Sequence, residues 1–590
     1  MNLWRGIVIG AVMGRTALLV LCLFIATPVR GQDKFENERY PSMDCALPLD
    51  GPLALSGSFG EVRANHFHGG TDLRTGGEEG HPVYAVAGGS VVRVSVATGG
   101  YGKALYVLHP NGVTSVYAHL QRFNPEIETW VRAQQYQRAR YEVQLFPPPG
   151  RFNVQRGDTL ALSGNTGSSG GPHLHFELRL QHGSVPYNSY LSGIRHQDSL
   201  PPQFTHFYLY EIDATNYERS LEMRKRFYFT GREGEYRLNV DTLEVGAFVG
   251  FGVEAKDPVN AISFPCSLNG LKMRVNGELV YNFNMQRVSF DETQYANAHV
   301  DSYLRAHGGR RVMFLFTLPG NALSRYQTER GGYLSLGRGE SANVEIEAMD
   351  MAGNRSFLRF VARGTGLPVS YPADSALAVL PWRTGCVVQR RRFRLEVPAK
   401  ALYYDVALRA VERDTLRRDG MPGAVSFGNA HVPMHRALTL WFDGSKVPVA
   451  KRKMCYMAWL DAKEHAHYVG GLQWDGNWAG CGVRSFSTFA VRMDSVPPVI
   501  DAKPLAQVCG RDLRKAETLV IRATDAHTTI KRVDAYIDGR WILLEWEPKL
   551  SRGVYRFDDR CEVRGVSHLL KVVAEDAVGN VSTHECSFTR

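Results

Sequence analysis

The sequence predicts a mainly β protein: an antiparallel β-sheet domain with a helical insertion, followed by about three β-sandwich domains. Three observations predict it. From Val83 to Leu120 three runs rich in β-branched and aromatic residues are broken by Gly-Gly, Gly-Gly-Tyr-Gly and Pro-Asn-Gly, which are the residues of tight hairpin turns. Residues 124–142, NPEIETWVRAQQYQRARYE, interrupt this pattern with helical composition. They are read as an amphipathic helix on the sheet edge, with a wall or cover of a cleft as the sharper alternative. Beyond Pro201 two segments recur: VEAKD ending at Asp257 with VEIEAMDMAGNRS from Val344, then VIRATD ending at Asp525 with LKVVAEDAVGNVS from Leu570.

Each recurring pair brackets a strand, turn, strand pattern, around Asn276-Gly277 in the first and Asp538-Gly539 in the second, so one architecture is expected twice. The D-x-x-G-N signature near the last strand resembles bacterial immunoglobulin-like (Ig-like) sandwiches, in which aspartate and asparagine shape the turn before the closing strand. The expected division is 32–200 for the sheet domain, 201–365 for an Ig-like sandwich, 366–496 for a further β-rich domain and 497–590 for a second Ig-like sandwich. Pro497-Pro498 marks the last junction. Trp441, Trp459, Trp474 and Trp478 in the third region are read as core or interface residues ahead of sugar-stacking platforms.

A chain of 590 residues with 44% hydrophobic and 22% charged residues is an ordinary globular protein with room for several domains. Its net charge of +10 would suit an anionic polymer such as a cell-wall glycan, but the excess is spread thinly apart from local clusters such as RRRFR at 390–394. No nucleic-acid-binding motif accompanies it. Residues 1–31 are read as an export signal, because Arg5 and Arg15 precede an apolar run, Thr16–Ala26, that is too short to span a bilayer comfortably. The expected location is therefore the periplasm or envelope of a bacterium. Two alternatives are an uncleaved anchor starting at Ile7 and lipidation at Cys22, against which Leu21 stands where a small residue is needed. Eight cysteines would follow the signal, with Cys455–Cys481 and a pair among Cys509, Cys561 and Cys586 as candidate disulfides. None lies in a CxxC pattern or near the motifs below, which argues against a cysteine nucleophile.

The chemistry-bearing stretch is GNTGSSGGPHLHFELRL, Gly164–Leu180, in which His173, His175 and Glu177 alternate onto one strand face. A buried, hydrogen-bonded histidine pair would look the same by spacing alone. Two other segments change the balance: His68 and Asp72, four apart around Gly69 and Gly70, and His119 at the end of a strand-like run. Imidazoles and a carboxylate from three separated segments are what a zinc centre needs, usually three protein ligands with a fourth position left to water. The glycine pair favours a tight bend over a helix at His68, His66 is read as a neighbour, and Glu177 as a solvent-facing or structural glutamate ahead of a partner to a histidine. A cupin-like barrel is disfavoured, since its glutamate should lie three or four residues beyond the second histidine.

The segments HGGTD, YAHL and GNTGSSGGPHLHFE, in that order and with V-x-R-G-D (Val154 to Asp158) before the last, resemble the lysostaphin-type (LytM-like) zinc metalloendopeptidases that cut peptidoglycan. The resemblance covers roughly Pro52 to Asn188. Carried over residue by residue, it implies that His68, Asp72 and His175 bind zinc and that His119 and His173 are catalytic. It implies an exported endopeptidase acting on peptidoglycan stem peptides or cross-links, with the sandwich domains open to protein or glycan contacts. The alternative is a catalytically silent scaffold or an activator of other hydrolases, which would have no need of all five side chains.

Overall fold

The alternating apolar residues between Leu55 and Leu180 build a large antiparallel sheet, accompanied by a three-stranded sheet of Pro82–Tyr84, Thr159–Leu162 and Arg122–Phe123 and a short ribbon of Val62–Arg63 with His66–Phe67. The computed structural model describes residues 33–260, 263–372, 375–413, 421–561 and 563–590; the signal read in residues 1–31 lies outside them. The strands that matter here are β1 (Leu55–Gly57), β2 (Thr71–Arg74), β3 (Gly89–Val96), β4 (Ala104–Leu108), β5 (Thr114–Ala118), β6 (Val143–Leu145) and β7 (His173–Leu180), in the order β1-β2-β7-β5-β4-β3-β6. Strand β7 is thus flanked by β2 and β5, and its register sets His175 opposite Asp72 on one side and Ala118 on the other. Directly opposed antiparallel residues bring their Cβ atoms to about 4.5–5.5 Å, so this pairing alone gathers residues distant in sequence.

The helix expected within 124–142 is α1, Pro125–Arg138. Asn124 caps it by accepting from Ile127 N, Pro125 pre-sets the first turn, and Ala139 ends it in the left-handed conformation. Ile127 and Val131 enter the core beneath the sheet. The opposite face meets the last domain: Arg132 and Tyr136 both bind Asp558, and the Tyr136 ring lies edge-on to Trp541 at 5.6 Å. The helix therefore joins two parts of the molecule.

Three sandwiches follow. In the first, a sheet that includes Gln203–Glu211 and Val249–Lys256 faces one built around Gly270–Val275, Ser341–Met349 and Arg355–Gly364, with Phe207, Phe251, Leu271, Ile346 and Leu358 between them. Its core also takes in Phe59, Val62 and Phe67 from the sheet domain, and Phe67 packs against Phe283 and His299. The middle region holds two five-stranded sheets whose core reaches Tyr210, Phe314 and Phe316 of the first sandwich. The last has two four-stranded sheets. Both expected hairpin turns have two consecutive residues of positive φ, 50° and 86° at Asn276-Gly277 and 49° and 77° at Asp538-Gly539, as a type I′ turn requires.

Among the described residues the one disulfide joins Cys509 to Cys586, within the trio considered from sequence. The expected Cys455–Cys481 pair is a correction: these are thiols on strands of opposite sheets, Cys455–Leu460 and Trp478–Val483, each directed into the common core. Sequence separation suggested proximity, but the two-sheet topology intervenes. No helix among the described residues is long and apolar enough to cross a membrane.

Candidate metal centre

All five side chains singled out from sequence come together on the face of β2 and β7 and at the end of β5. His68 Nε2, Asp72 Oδ1 and His175 Nδ1 form a small triangle, with separations of 3.1, 2.9 and 3.0 Å. All three residues are buried. His68 anchors its other nitrogen, Nδ1, on the carbonyl of Ser58 at 2.8 Å. A carbonyl only accepts, so that nitrogen carries the proton and a neutral His68 turns a bare Nε2 inward.

His175 is anchored in the same way. Its Nε2 lies 2.7 Å from Glu177 Oε1, which also accepts from the Tyr101 hydroxyl at 2.6 Å, while Glu177 Oε2 accepts from Arg179 Nε at 2.5 Å. Glu177 is fully buried, so its expected solvent-facing or structural role is corrected: it is the partner of His175. Burial opposes its charge, yet Arg179 and His175 hold its pKa down to about 2. A histidine backed by a carboxylate is the usual support of a metal-binding imidazole. Glu177→Gln keeps the size but removes the charge, and should weaken zinc affinity about 10–100-fold. Competition against a chromogenic chelator measures this, and an unchanged affinity would remove Glu177 from the support of the centre.

Three groups with lone pairs about 3 Å apart would repel one another unless positive charge lies among them. The electrostatics show the same demand. Burial works against a charge on His175, but hydrogen bonds to Asp72 and Glu177 raise its pKa to about 9. Burial likewise opposes ionisation of Asp72, but the imidazoles of His68, His173 and His175 gathered around it hold its carboxyl well below the usual range. Ligand atoms at zinc bond lengths of about 2.0–2.2 Å stand about 3.3–3.6 Å apart in a tetrahedron. The triangle is within a few tenths of that, and two nitrogens with one carboxylate oxygen are suitable zinc donors, so the residues fit the ion.

The two remaining imidazoles border the triangle. His173 fixes Nδ1 on the Gly171 carbonyl at 2.8 Å, and its Nε2 is buried with no hydrogen-bond partner, 3.4 Å from Asp72 Oδ1. His119 fixes Nδ1 on the Thr166 carbonyl at 2.9 Å, and its ring stands 4.9 Å from that of His173 and 5.7 Å from that of His175. Burial, then the neighbouring His175 and His173, push its pKa down to about 3, so His119 is neutral, and with Nδ1 donating to Thr166 its Nε2 carries the lone pair. It sits just beyond β5 at φ 59°, a left-handed conformation uncommon outside glycine, which turns its ring out of the strand. Gly70 permits the close packing below: a Cβ there would lie 2.6 Å from Phe176 O and 2.8 Å from His175 Cε1. His66, by contrast, is exposed and bonds the Ala64 carbonyl, as expected of a neighbour.

Sequence reasoning missed Arg63, whose Nη2 pairs with Asp72 Oδ2. Glu61 lies 3.4 Å from the same guanidinium and 2.5 Å from Arg311 of the first sandwich, so a chain of charges runs from that sandwich to Asp72. Only the nearness of Arg63 to His68 in sequence hinted at this; Arg311 gave no signal.

The β-sheet floor thus carries a buried His-Asp-His cluster that could hold a metal ion, with two further imidazoles beside it. The model of peptidase family M23 matches residues 66–136, which include His68, Asp72 and His119, and a Zu5-like domain model matches 377–494. The lipoprotein NlpD of Yersinia enterocolitica is 31% identical over 115 residues, 20% of this chain and 94% of that protein. The chain belongs to peptidase family M23, the lysostaphin-type family that its motifs resemble. The DD-carboxypeptidase/endopeptidase Mpg of Neisseria meningitidis is 35% identical over 102 residues, 17% of this chain and 18% of that protein, so the match spans under a fifth of that relative's length. Among solved structures, a zinc containing peptidase from Vibrio cholerae is 25% identical over 25% of this chain and 40% of that chain, with a TM-score of 0.19. The catalytic domain of lysostaphin from Staphylococcus simulans is 22% identical over 23% of this chain and 88% of that chain, with a TM-score of 0.17.

Proposed function

We propose that the protein is an exported zinc-dependent endopeptidase that hydrolyses peptide bonds in peptidoglycan stem peptides or cross-links. The observation that carries this reading is the arrangement of four imidazoles, each tethered through one nitrogen to a carbonyl or carboxylate. His68 and His175 turn the other nitrogen toward Asp72 Oδ1, and His173 and His119 stand at the rim. His68, Asp72 and His175 would hold the zinc. A bound zinc supplies Lewis acidity toward a peptide carbonyl and toward water.

The protein's own part is proton handling and placement. Neutral His119 accepts a proton on Nε2, because Nδ1 is committed to the Thr166 carbonyl, and returns it to the departing amine. His173 presents Nε2 beside the developing charge on the carbonyl oxygen and donates to it when protonated. Gly170 and Gly171 leave open space in front of His173, since a Cβ on either would meet nothing within 4 Å. An extended peptide can therefore approach the backbone there. Tyr101 and Arg179 act through Glu177, keeping the His175 ring fixed while bonds are rearranged in front of it.

The test is incubation of the mature protein with purified peptidoglycan, with and without a chelator, followed by mass spectrometry of new amino termini. Release of peptides with a new amine, abolished by chelation and restored by zinc, is expected. Absence of cleavage by zinc-loaded protein would favour the silent scaffold or activator instead.

A further inference from the structure

Two clusters of three carboxylates lie outside the peptidase site. Asp198, Asp257 and Asp350 bring ligand oxygens within 4.8 Å of one another, and so do Asp494, Asp525 and Asp576. They occupy equivalent places in the two sandwiches. Asp198 and Asp494 open the entering linkers, Asp-Ser-Leu-Pro-Pro and Asp-Ser-Val-Pro-Pro; Asp257 and Asp525 end the recurring strand; Asp350 and Asp576 begin the D-x-x-G-N turn.

Several local hydrogen bonds repeat in both. Oδ1 of Asp198 and of Asp494 accepts the amide two residues on, from Leu200 and Val496. Oδ1 of Asp257 and of Asp525 does the same with Val259 and His527. Asp350 and Asp576 each accept from the backbone and the side chain of the following asparagine, Asn354 and Asn580. Ser356 and Ser582 donate to the carbonyls of Pro202 and Pro498, tying linker to closing strand in both copies.

These bonds organise the clusters but leave a charge unmatched in each. The Asp198 side chain is 0% exposed and its Oδ2 has no hydrogen-bond partner; the imidazole Nε2 of His196 is 3.8 Å away and itself lacks a hydrogen-bond partner. Asp257 and Asp350 beside it are each 1% exposed. In the second cluster Asp525 Oδ2 is likewise buried and unpartnered, while Asp494 and Asp576 are 0% exposed. There Thr528 Oγ1 lies within hydrogen-bond reach of Asp494 Oδ2 and Asp525 Oδ1, and the half-exposed His527 imidazole is 3.4 Å from Asp494 Oδ1. Three mutually close carboxylates taken from water without a paired cation are strongly unfavourable. Burial, then Asp198 and Asp350, push the Asp257 pKa up to about 8, which expresses the same deficit.

We propose that each cluster is a binding site for a hard divalent cation of the calcium class, one at the entry to each Ig-like sandwich. The donors on all three aspartates are oxygens, which calcium takes six to eight at a time in irregular geometry, whereas magnesium demands a near-ideal octahedron. In the first sandwich the ion would bind the linker from the peptidase sheet to the loop after Asp257. That loop already touches the peptidase: Leu55 N donates to Ser263 Oγ at 2.9 Å, and Phe264 N to Leu55 O at 2.8 Å. Calcium would thus fix how the peptidase sheet sits on its neighbour.

The experiment is titration of the full-length, zinc-loaded protein with calcium chloride by calorimetry and equilibrium dialysis, with Asp198→Asn, Asp494→Asn and the double variant. Two calcium ions per chain are expected for the wild type, one for each single variant and none for the double. The extracellular range of affinity, about 10⁻⁴–10⁻³ M, sets the concentrations to cover. Absence of wild-type binding over that range, or a wild-type count in Asp198→Asn, overturns the proposal. Melting separates ion binding from a folding defect. In a calcium chelator Asp198→Asn, relieved of one like charge, should melt at or above the wild-type temperature, whereas in calcium only the wild type should gain. A variant that melts equally far below the wild type in both conditions would make Asp198 merely structural and overturn the first site.

Discussion

His175→Ala should strip zinc from the protein, whereas His173→Ala should retain zinc and lose turnover. The difference follows from position. His175 Nδ1 is one corner of the triangle, 2.9 Å from Asp72 Oδ1 and 3.0 Å from His68 Nε2, and no other residue can take its place on β7. Its loss should exceed the roughly 10–100-fold drop in affinity that follows removal of an outer hydrogen-bond partner. His173 is two residues back on the same strand face, with Nε2 3.4 Å from Asp72 Oδ1, and it belongs to the rim. Removing a positioned acid or base lowers turnover about 10²–10⁴-fold, with zinc content near one per chain. Elemental analysis of refolded protein and release of new amines from peptidoglycan read the two effects separately. Equal zinc loss in both variants would show that the roles implied by the family do not transfer to this chain.

Much of that centre was legible in the sequence. Alternation placed His173, His175 and Glu177 on one face, and hairpin signals predicted the antiparallel sheet that puts Asp72 and Ala118 beside His175. Spacing did not distinguish His173 from His175, because both point the same way; only the pairing register and the tethers at Gly171 and Glu177 separate them. Glu177 was misjudged because a glutamate at the end of a short alternating run gives no sign that Arg179 and Tyr101 will enclose it. Arg63 was hinted at only by its nearness to His68, and Arg311 was invisible for a different reason: its role depends on a sandwich docking against the sheet, and domain docking leaves no periodicity in sequence. The recurrence of Asp257 with Asp525 and of Asp350 with Asp576 was readable as repeated architecture, but the convergence of Asp198 and Asp494 on them was not.

Glu545→Gln should destabilise the peptidase sheet although it lies in the last sandwich. Lys103, the residue preceding β4, is almost entirely enclosed, and its ammonium donates to Glu545 Oε2 at 2.8 Å and to the Gln121 carbonyl at 3.1 Å. Burial alone would favour the neutral amine, but Glu545 keeps the pKa of Lys103 above its ordinary value. Neutralising Glu545 leaves a buried charge unmatched, which costs about 3–5 kcal/mol for a fully enclosed pair. Glu545 is 25% exposed, so the lower end of that range applies. The consequence reaches the rim of the centre, since Lys103 N donates to Thr166 Oγ1 and the Thr166 carbonyl holds His119. Lys549 of the same sandwich also grips this loop through the carbonyls of Gly167 and Ser169 at 3.3 and 3.0 Å. Glu545→Gln should therefore lower the melting temperature and turnover while leaving zinc bound, and Lys103→Met with Glu545→Leu should restore stability, because an apolar pair of similar volume removes both buried charges. If Glu545→Gln melts and turns over like the wild type, the last sandwich is a passive neighbour and His119 is held by the peptidase sheet alone.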